Sequence, residues 1–94
     1  MKLPLRFRIL HLLAVEKKPL TPDEIIEKLK AEYQGERQFT KKAVIGHLES
    51  MKAVALIEAV EVYLDKNGDL VEKFQISDFG KDRLKYLPAQ WKVS

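Results

Sequence analysis

Two histidines, His11 and His47, and no cysteine are all that the chain offers for metal binding or for imidazole and thiol catalysis. Neither histidine has a ligand-type partner at the short helical spacing that zinc sites use. Without a thiol there is no disulfide, no zinc-thiolate site and no cysteine nucleophile. A glycine-rich phosphate loop and a nucleophile elbow are also missing. The residues therefore predict no enzyme, no catalytic residue, no metal and no cofactor; His11 and His47 read as packed or surface side chains. What remains is charge. Seventeen Lys and Arg against fourteen Asp and Glu leave a net +3. The cations gather as Lys2, Arg6 and Arg8 at the chain start and as Lys41 and Lys42 near its middle, while residues 56–77 sum to −3. So mild an excess attracts polyanions only where folding brings the cations to one face.

Ninety-four residues suit one domain, spanning 1–94, with a small and compact core. Hydrophobic residues at 46% and charged ones at 33% are the balance of a globular chain rather than a disordered one. The first fourteen residues are apolar but carry Arg6, Arg8 and His11. They are too short and too charged for a membrane span, and they lack the small-residue cleavage site of a signal peptide. The expectation is a cytoplasmic protein with no membrane partner.

Six elements follow from pattern. A first helix is expected from Pro4 to about Glu16, with Phe7, Leu10, Leu13 and Ala14 on one side and Leu5, Ile9, Leu12 and Val15 over much of the other. A helix apolar nearly all round must be covered on more than one side, by its own domain or by a partner. The second helix opens on Thr21-Pro22-Asp23-Glu24, a capping box, with Leu20 and Ile25 at staple spacing. Ile25, Ile26, Leu29 and Tyr33 form its apolar stripe, and Gly35 stops it. Thr40 caps a third helix that runs to about Ala53, with Val44, Leu48 and Met51 inward and Lys42, Gly46, Glu49 and Ser50 outward.

The period then changes to alternation. Val60, Val62 and Leu64 face one way on the first strand. Asn67-Gly68 supplies two positive-φ positions for a tight turn, and Leu70, Glu72, Phe74 and Ile76 share a face on the return. Since a lone hairpin is marginal, its apolar face is expected on the helices. Ser77 caps a closing helix over about 78–87 that buries Phe79, Leu84, Tyr86 and Leu87. Pro88 ends it, leaving a short tail over 88–94.

Three helices, a two-stranded hairpin and a closing helix, in that order, resemble the winged helix-turn-helix fold, an α+β architecture. Leu20-Thr21-Pro22-Asp23-Glu24-Ile25 looks like the start of its scaffold helix. Val44, Leu48, Met51, Leu56 and Ile57 look like the core of a recognition helix running into a wing over about 56–77. Phe74-Gln75-Ile76-Ser77-Asp78-Phe79-Gly80-Lys81 is similar to the strand-to-helix exit of bacterial multiple-antibiotic-resistance and phenolic-acid-response regulators. Ala55 stands where such regulators usually carry glycine, and the stretch Gln34 to Gln38 is longer than their usual turn.

The resemblance implies a transcription regulator that binds double-stranded DNA, its third helix in the major groove. Lys41 and Lys42 would then meet phosphate or guanine O6 and N7, with Ile45, Gly46, Glu49 and Ser50 on the same outward face. Lys66 and Asn67 at the wing tip would touch the neighbouring backbone. Specificity from one short helix calls for a homodimer on two half-sites, expected through the second apolar side of the first helix and the tail with Trp91. The alternative is a winged helix that binds a protein partner and not DNA, since fold does not dictate function. The acidic wing, with Glu58, Glu61, Asp65, Asp69 and Glu72 against Lys66 and Lys73, and the bare Gly46 suit that alternative.

Overall fold

The computed structural model describes residues 4–86 of the chain. Its order is α1 (Leu5–Glu16), α2 (Pro22–Tyr33), α3 (Lys41–Ala53), β1 (Ile57–Leu64), β2 (Leu70–Ile76) and α4 (Asp78–Leu84). The described residues are thus a mixed α+β arrangement of four helices and a two-stranded antiparallel hairpin. None of these helices is long and apolar enough to cross a membrane.

Local chemistry sets the helix starts. At α2 the Thr21 hydroxyl accepts from the Glu24 amide at 3.2 Å and the Glu24 carboxylate accepts from the Thr21 amide at 2.8 Å. That reciprocal pair satisfies two otherwise orphaned donors. It also holds the Glu24 carboxyl below its ordinary range, the Thr21 backbone hydrogen bond being the main cause. Leu20 and Ile25, the staple pair, are both fully buried. Thr40 caps α3 through the Ala43 amide and Ser77 caps α4 through the Gly80 amide. The longer α2–α3 connection is held by packing, with the Tyr33 and Phe39 rings stacked at 5.7 Å between centroids.

The core draws on every element: Ile9, Leu10 and Leu13 from α1, Ile25 and Leu29 from α2, Val44, Leu48 and Met51 from α3, Ile57 and Phe74 from the hairpin, Leu84 from α4. Both sides of α1 are satisfied here. Ile9 and Leu12, assigned to its second side, are buried within the domain, which leaves only Phe7 and Val15 as large exposed apolar groups on that helix. The dimer surface expected on helix 1 is therefore mostly used up inside the molecule. The tail, with Trp91, lies outside the described residues.

The hairpin departs from expectation in three ways. Its turn has one positive φ rather than two: Gly68 sits at +82° and Asn67 does not join it. The loop is Lys66-Asn67-Gly68, closed by Gly68 N–H to the Asp65 carbonyl at 3.0 Å and Asp65 N–H to the Asp69 carbonyl at 2.9 Å. The Asp65 carboxylate also accepts from the Asn67 and Asp69 amides, which fixes the wider loop. Second, the register shifts between Ala59 and Glu61, so Val60 is the extra residue of a bulge. Third, only the root of the hairpin lies on the helices. Ile57, Phe74 and Ile76 are buried, whereas Val60, Val62, Leu64 and Leu70 are exposed. Beyond the bulge the apolar side chains of the hairpin are left uncovered.

The last helix likewise buries less than its pattern suggested. Leu84 is in the core, but Phe79 and Tyr86 are exposed, and Leu87 lies outside the described residues. With two turns at most, α4 can turn only one narrow stripe inward.

Two joints hold the hairpin root. Leu20 and Phe74 exchange backbone hydrogen bonds at 2.9 and 2.8 Å, a bridge that adds the α1–α2 connection to the sheet. Ser77, buried, sends its hydroxyl toward the Ala55 and Leu56 carbonyls at 2.6 and 2.9 Å. Ala55 reaches this joint in the left-handed region, φ +65°. Glycine adopts that conformation without steric cost, whereas the Cβ of alanine is strained there.

Candidate functional site

Helix α3 presents Lys41, Lys42, Ile45, Gly46 and Glu49 to solvent, as its period requires, with Ser50 half-buried at the edge. The outer hairpin stands beside it. Between them, and reaching the start of α2, is a shallow valley of about 150 Å³. Pro22, Ile45, Leu70, Val71 and Phe74 form its apolar part. Its charged lining is Asp23 from the first turn of α2, Glu49 and Lys41 from α3, and Asp65, Asp69 and Glu72 from the hairpin.

Five carboxylates and one lysine therefore meet on this face, and ion pairs engage the available cations. Lys41 Nζ lies 3.1 Å from Asp23 Oδ1. Lys52 Nζ bridges Glu49 and Glu72 at 3.0 and 3.1 Å, and the hydrogen bond to Glu49, then that to Glu72, raises its pKa above the ordinary lysine value. The same ammonium sits over the Phe74 ring at 5.9 Å. Among the described residues Lys42 and Lys66 have no ion pair; Lys42 stands on the first turn of α3 beside Gly46, where a Cβ would meet nothing within 4 Å. Asn67 holds the loop through its backbone amide.

The structure thus gathers Lys41, Ile45 and Glu49 with the hairpin and leaves Lys42, Gly46, Lys66 and Asn67 open around the valley's margin. The basic group at the chain start is engaged elsewhere. Arg8 holds Glu32 from Nε, which donates to Oε1 and Oε2 at 3.2 and 3.0 Å, and from a terminal nitrogen, which donates to Oε1 at 2.8 Å, tying α1 to α2. Arg6 donates from Nε to His47 Nδ1 at 3.2 Å. That bond requires an unprotonated acceptor nitrogen, and desolvation first, then the Arg6 charge, lowers the His47 pKa. His47 is accordingly half-buried beside α1 and turned away from the open face. Lys2 lies outside the described residues.

Sequence reasoning missed Asp23 as a member of this face. It belongs to the capping segment of α2, where an acidic residue is already explained by the helix dipole. Only the packing of α2 against α3 brings it beside Lys41. Among the described residues no group of three or more His, Asp or Glu could hold a metal ion.

Comparison with known proteins adds no relative: no family model matches the chain, and neither the curated proteins nor the solved structures give a match.

Proposed function

We propose that the chain is a winged-helix protein-interaction module whose valley between α3 and the hairpin takes a cationic segment of a protein partner. The element order, the capped α2 and α3 and the hairpin that follows them support the winged-helix reading of the fold. The observation that carries the function is the acidic lining of the valley, where Asp23, Glu49, Asp65, Asp69 and Glu72 outnumber the two lysines paired with them, Lys41 and Lys52, around Ile45 and Leu70. A duplex seated there would bring phosphates against carboxylates. Two like unit charges 4 Å apart repel by about 1 kcal/mol in water and about 4 kcal/mol at an effective dielectric of 20. Lysine or arginine side chains of a partner reverse that sign, and an apolar residue between them would rest on Ile45 and Leu70.

Duplex DNA is the second reading, that of a major-groove transcription regulator. One observation favours it: Lys42 is exposed, without an ion pair among the described residues, on the first turn of a capped helix beside the open Gly46. The two readings part in one fluorescence-anisotropy experiment with a labelled random duplex and a labelled peptide of alternating lysine and leucine. The proposal expects the peptide to bind, Asp23→Asn with Glu49→Gln and Asp69→Asn to weaken it, and the duplex to remain unbound at roughly 50 mM salt. Duplex binding that is lost with Lys41→Ala and Lys42→Ala, and whose salt slope flattens by roughly 0.9 per phosphate contact removed, would instead establish the DNA reading.

A further inference from the structure

The hairpin tip exposes apolar surface that the folded monomer leaves uncovered. Leu64 and Leu70 are cross-strand partners on the last rung before the loop, and they are 67% and 68% exposed. Immediately beyond them lie Asp65 and Asp69. The Asp65 carboxylate is spent on the loop amides, while that of Asp69 has no hydrogen bond or ion pair among the described residues. The tip is thus a pair of leucines flanked by Asp65 and Asp69, with the exposed Lys66 in the loop between them and Asp69 the one carboxylate there left open.

A complementary receptor exists on the same molecule. A groove of about 680 Å³ opens between the end of α1, the root of the hairpin and α4. Its floor is the apolar set Leu13, Ala14, Ile76 and Leu84. Its lining also carries Lys17 and Lys18, just past α1, Lys81 of α4 and Lys85 at its C-terminal cap, together with Glu58 and Asp78. Lys17 and Lys18 have no ion-pair partner among the described residues, Lys81 keeps Asp78 only at 4.0 Å, and Lys85 is held by Asp82 at 2.7 Å. An apolar floor with lysines in excess matches an apolar tip with carboxylates in excess.

We propose that the hairpin tip of one copy seats in this groove of a second copy, giving a two-fold dimer of antiparallel hairpins. Glu58, Gln75 and Ile76 place the groove at the hairpin's own root. An eight-residue strand separates root from tip, about 26 Å at about 3.3 Å per residue. With a two-fold axis at mid-strand, each tip falls on the other copy's root, so both contacts form at once and the assembly closes. The dimer buries four leucines that the monomer exposes, and it sets Asp69 against lysine on each side. Asp23 and Glu49, on the helical side of the acidic valley, take no part. Asp65, Asp69 and Leu70 also line the valley, so the dimer and a bound partner segment would compete for the tip. The inference does not depend on the protein-partner reading, and the Lys81→Glu, Lys85→Glu protein leaves the valley untouched.

Sedimentation velocity of the full chain tests this through exchanged charge. The wild type should sediment as a monomer–dimer equilibrium. Lys81→Glu with Lys85→Glu places acid against the acidic tip, and Asp69→Lys places a cation against the basic groove. Each protein alone should dissociate at least about tenfold more readily. An equimolar mixture of the two should recover the dimer, because in the mixed pair both contacts again join opposite charges. A separate Leu64→Ser, Leu70→Ser protein should be monomeric with unchanged circular dichroism, since neither leucine belongs to the core. A wild type that stays monomeric at roughly millimolar concentration overturns the proposal. So does a dimer indifferent to these changes, or one that mixing fails to restore.

Discussion

Replacing Ala55 with glycine should stabilise the protein, and the size of the effect follows from its backbone. Ala55 has φ +65°, a conformation that places Cβ against its own peptide and disfavours an L residue by roughly 1–2 kcal/mol. Glycine removes that strain but frees the unfolded chain, which takes back about 0.4–1 kcal/mol. The side chain is exposed, so little packing is lost. Both backbone bonds survive, the N–H to the Lys52 carbonyl at 3.0 Å and the carbonyl accepting from Ser77 Oγ at 2.6 Å. The difference is a gain of about 1 kcal/mol, equivalent in a domain of this size to a rise of about 4–8 °C in Tm. Urea denaturation should show a higher midpoint with an unchanged slope. Ala55→Val, a branched side chain in the same conformation, should move the midpoint the other way. A glycine variant that melts at or below the wild-type temperature would refute the left-handed joint and with it the set of the hairpin on α3.

Three further outcomes are expected. Gly80→Ala should destabilise the fold by about 1–3 kcal/mol in thermal melts, because a Cβ there collides with the Leu56 carbonyl oxygen and with Ile76 Cγ1; a neutral result would mean that α4 docks less closely. Thr21→Ala should lower stability by about 1 kcal/mol through loss of the hydroxyl that the Glu24 amide donates to, and an unmoved denaturant midpoint would contradict it. His47, its folded pKa depressed, takes its proton first in the unfolded chain. Stability should therefore decline as pH falls from the unfolded value of about 6.5 toward the lower folded one and level off below that. His47→Gln should flatten this window, and an identical pH profile for the two proteins would remove desolvation of His47 as its cause.

The helical layer was legible because its signals are local. Thr21 and Glu24 cap each other three residues apart, and Leu20 and Ile25 staple the same turn, so no distant contact was needed to read them. The hairpin was legible at its root and misleading beyond it. Alternation places Val62, Leu64 and Leu70 on one face, but a pattern of period two records which residues share a face and not whether anything covers it. Apolar character all round α1 carried the same ambiguity, and there the domain itself supplies the cover. The valley was hardest to foresee. Asp23, Glu49 and Asp69 come from three elements, each carboxylate has an innocent local explanation, and only their convergence gives the face its sign.

The Leu20–Phe74 bridge also orders events in time. Helix pairing between α2 and α3 and zipping of the hairpin about its loop use neighbours in sequence, whereas this bridge joins positions 20 and 74. Closing so long a loop costs roughly 3–4 kcal/mol of chain entropy before its two hydrogen bonds return anything. It should therefore close after the local pieces have formed and reopen only when the whole domain does. Native-state hydrogen exchange should find the Leu20 and Phe74 amides among the slowest, opening with global unfolding. The ladder amides of the outer half, around Leu64 and Leu70, should exchange through far cheaper local fraying, so the exposed tip can open and re-form while the root stays shut.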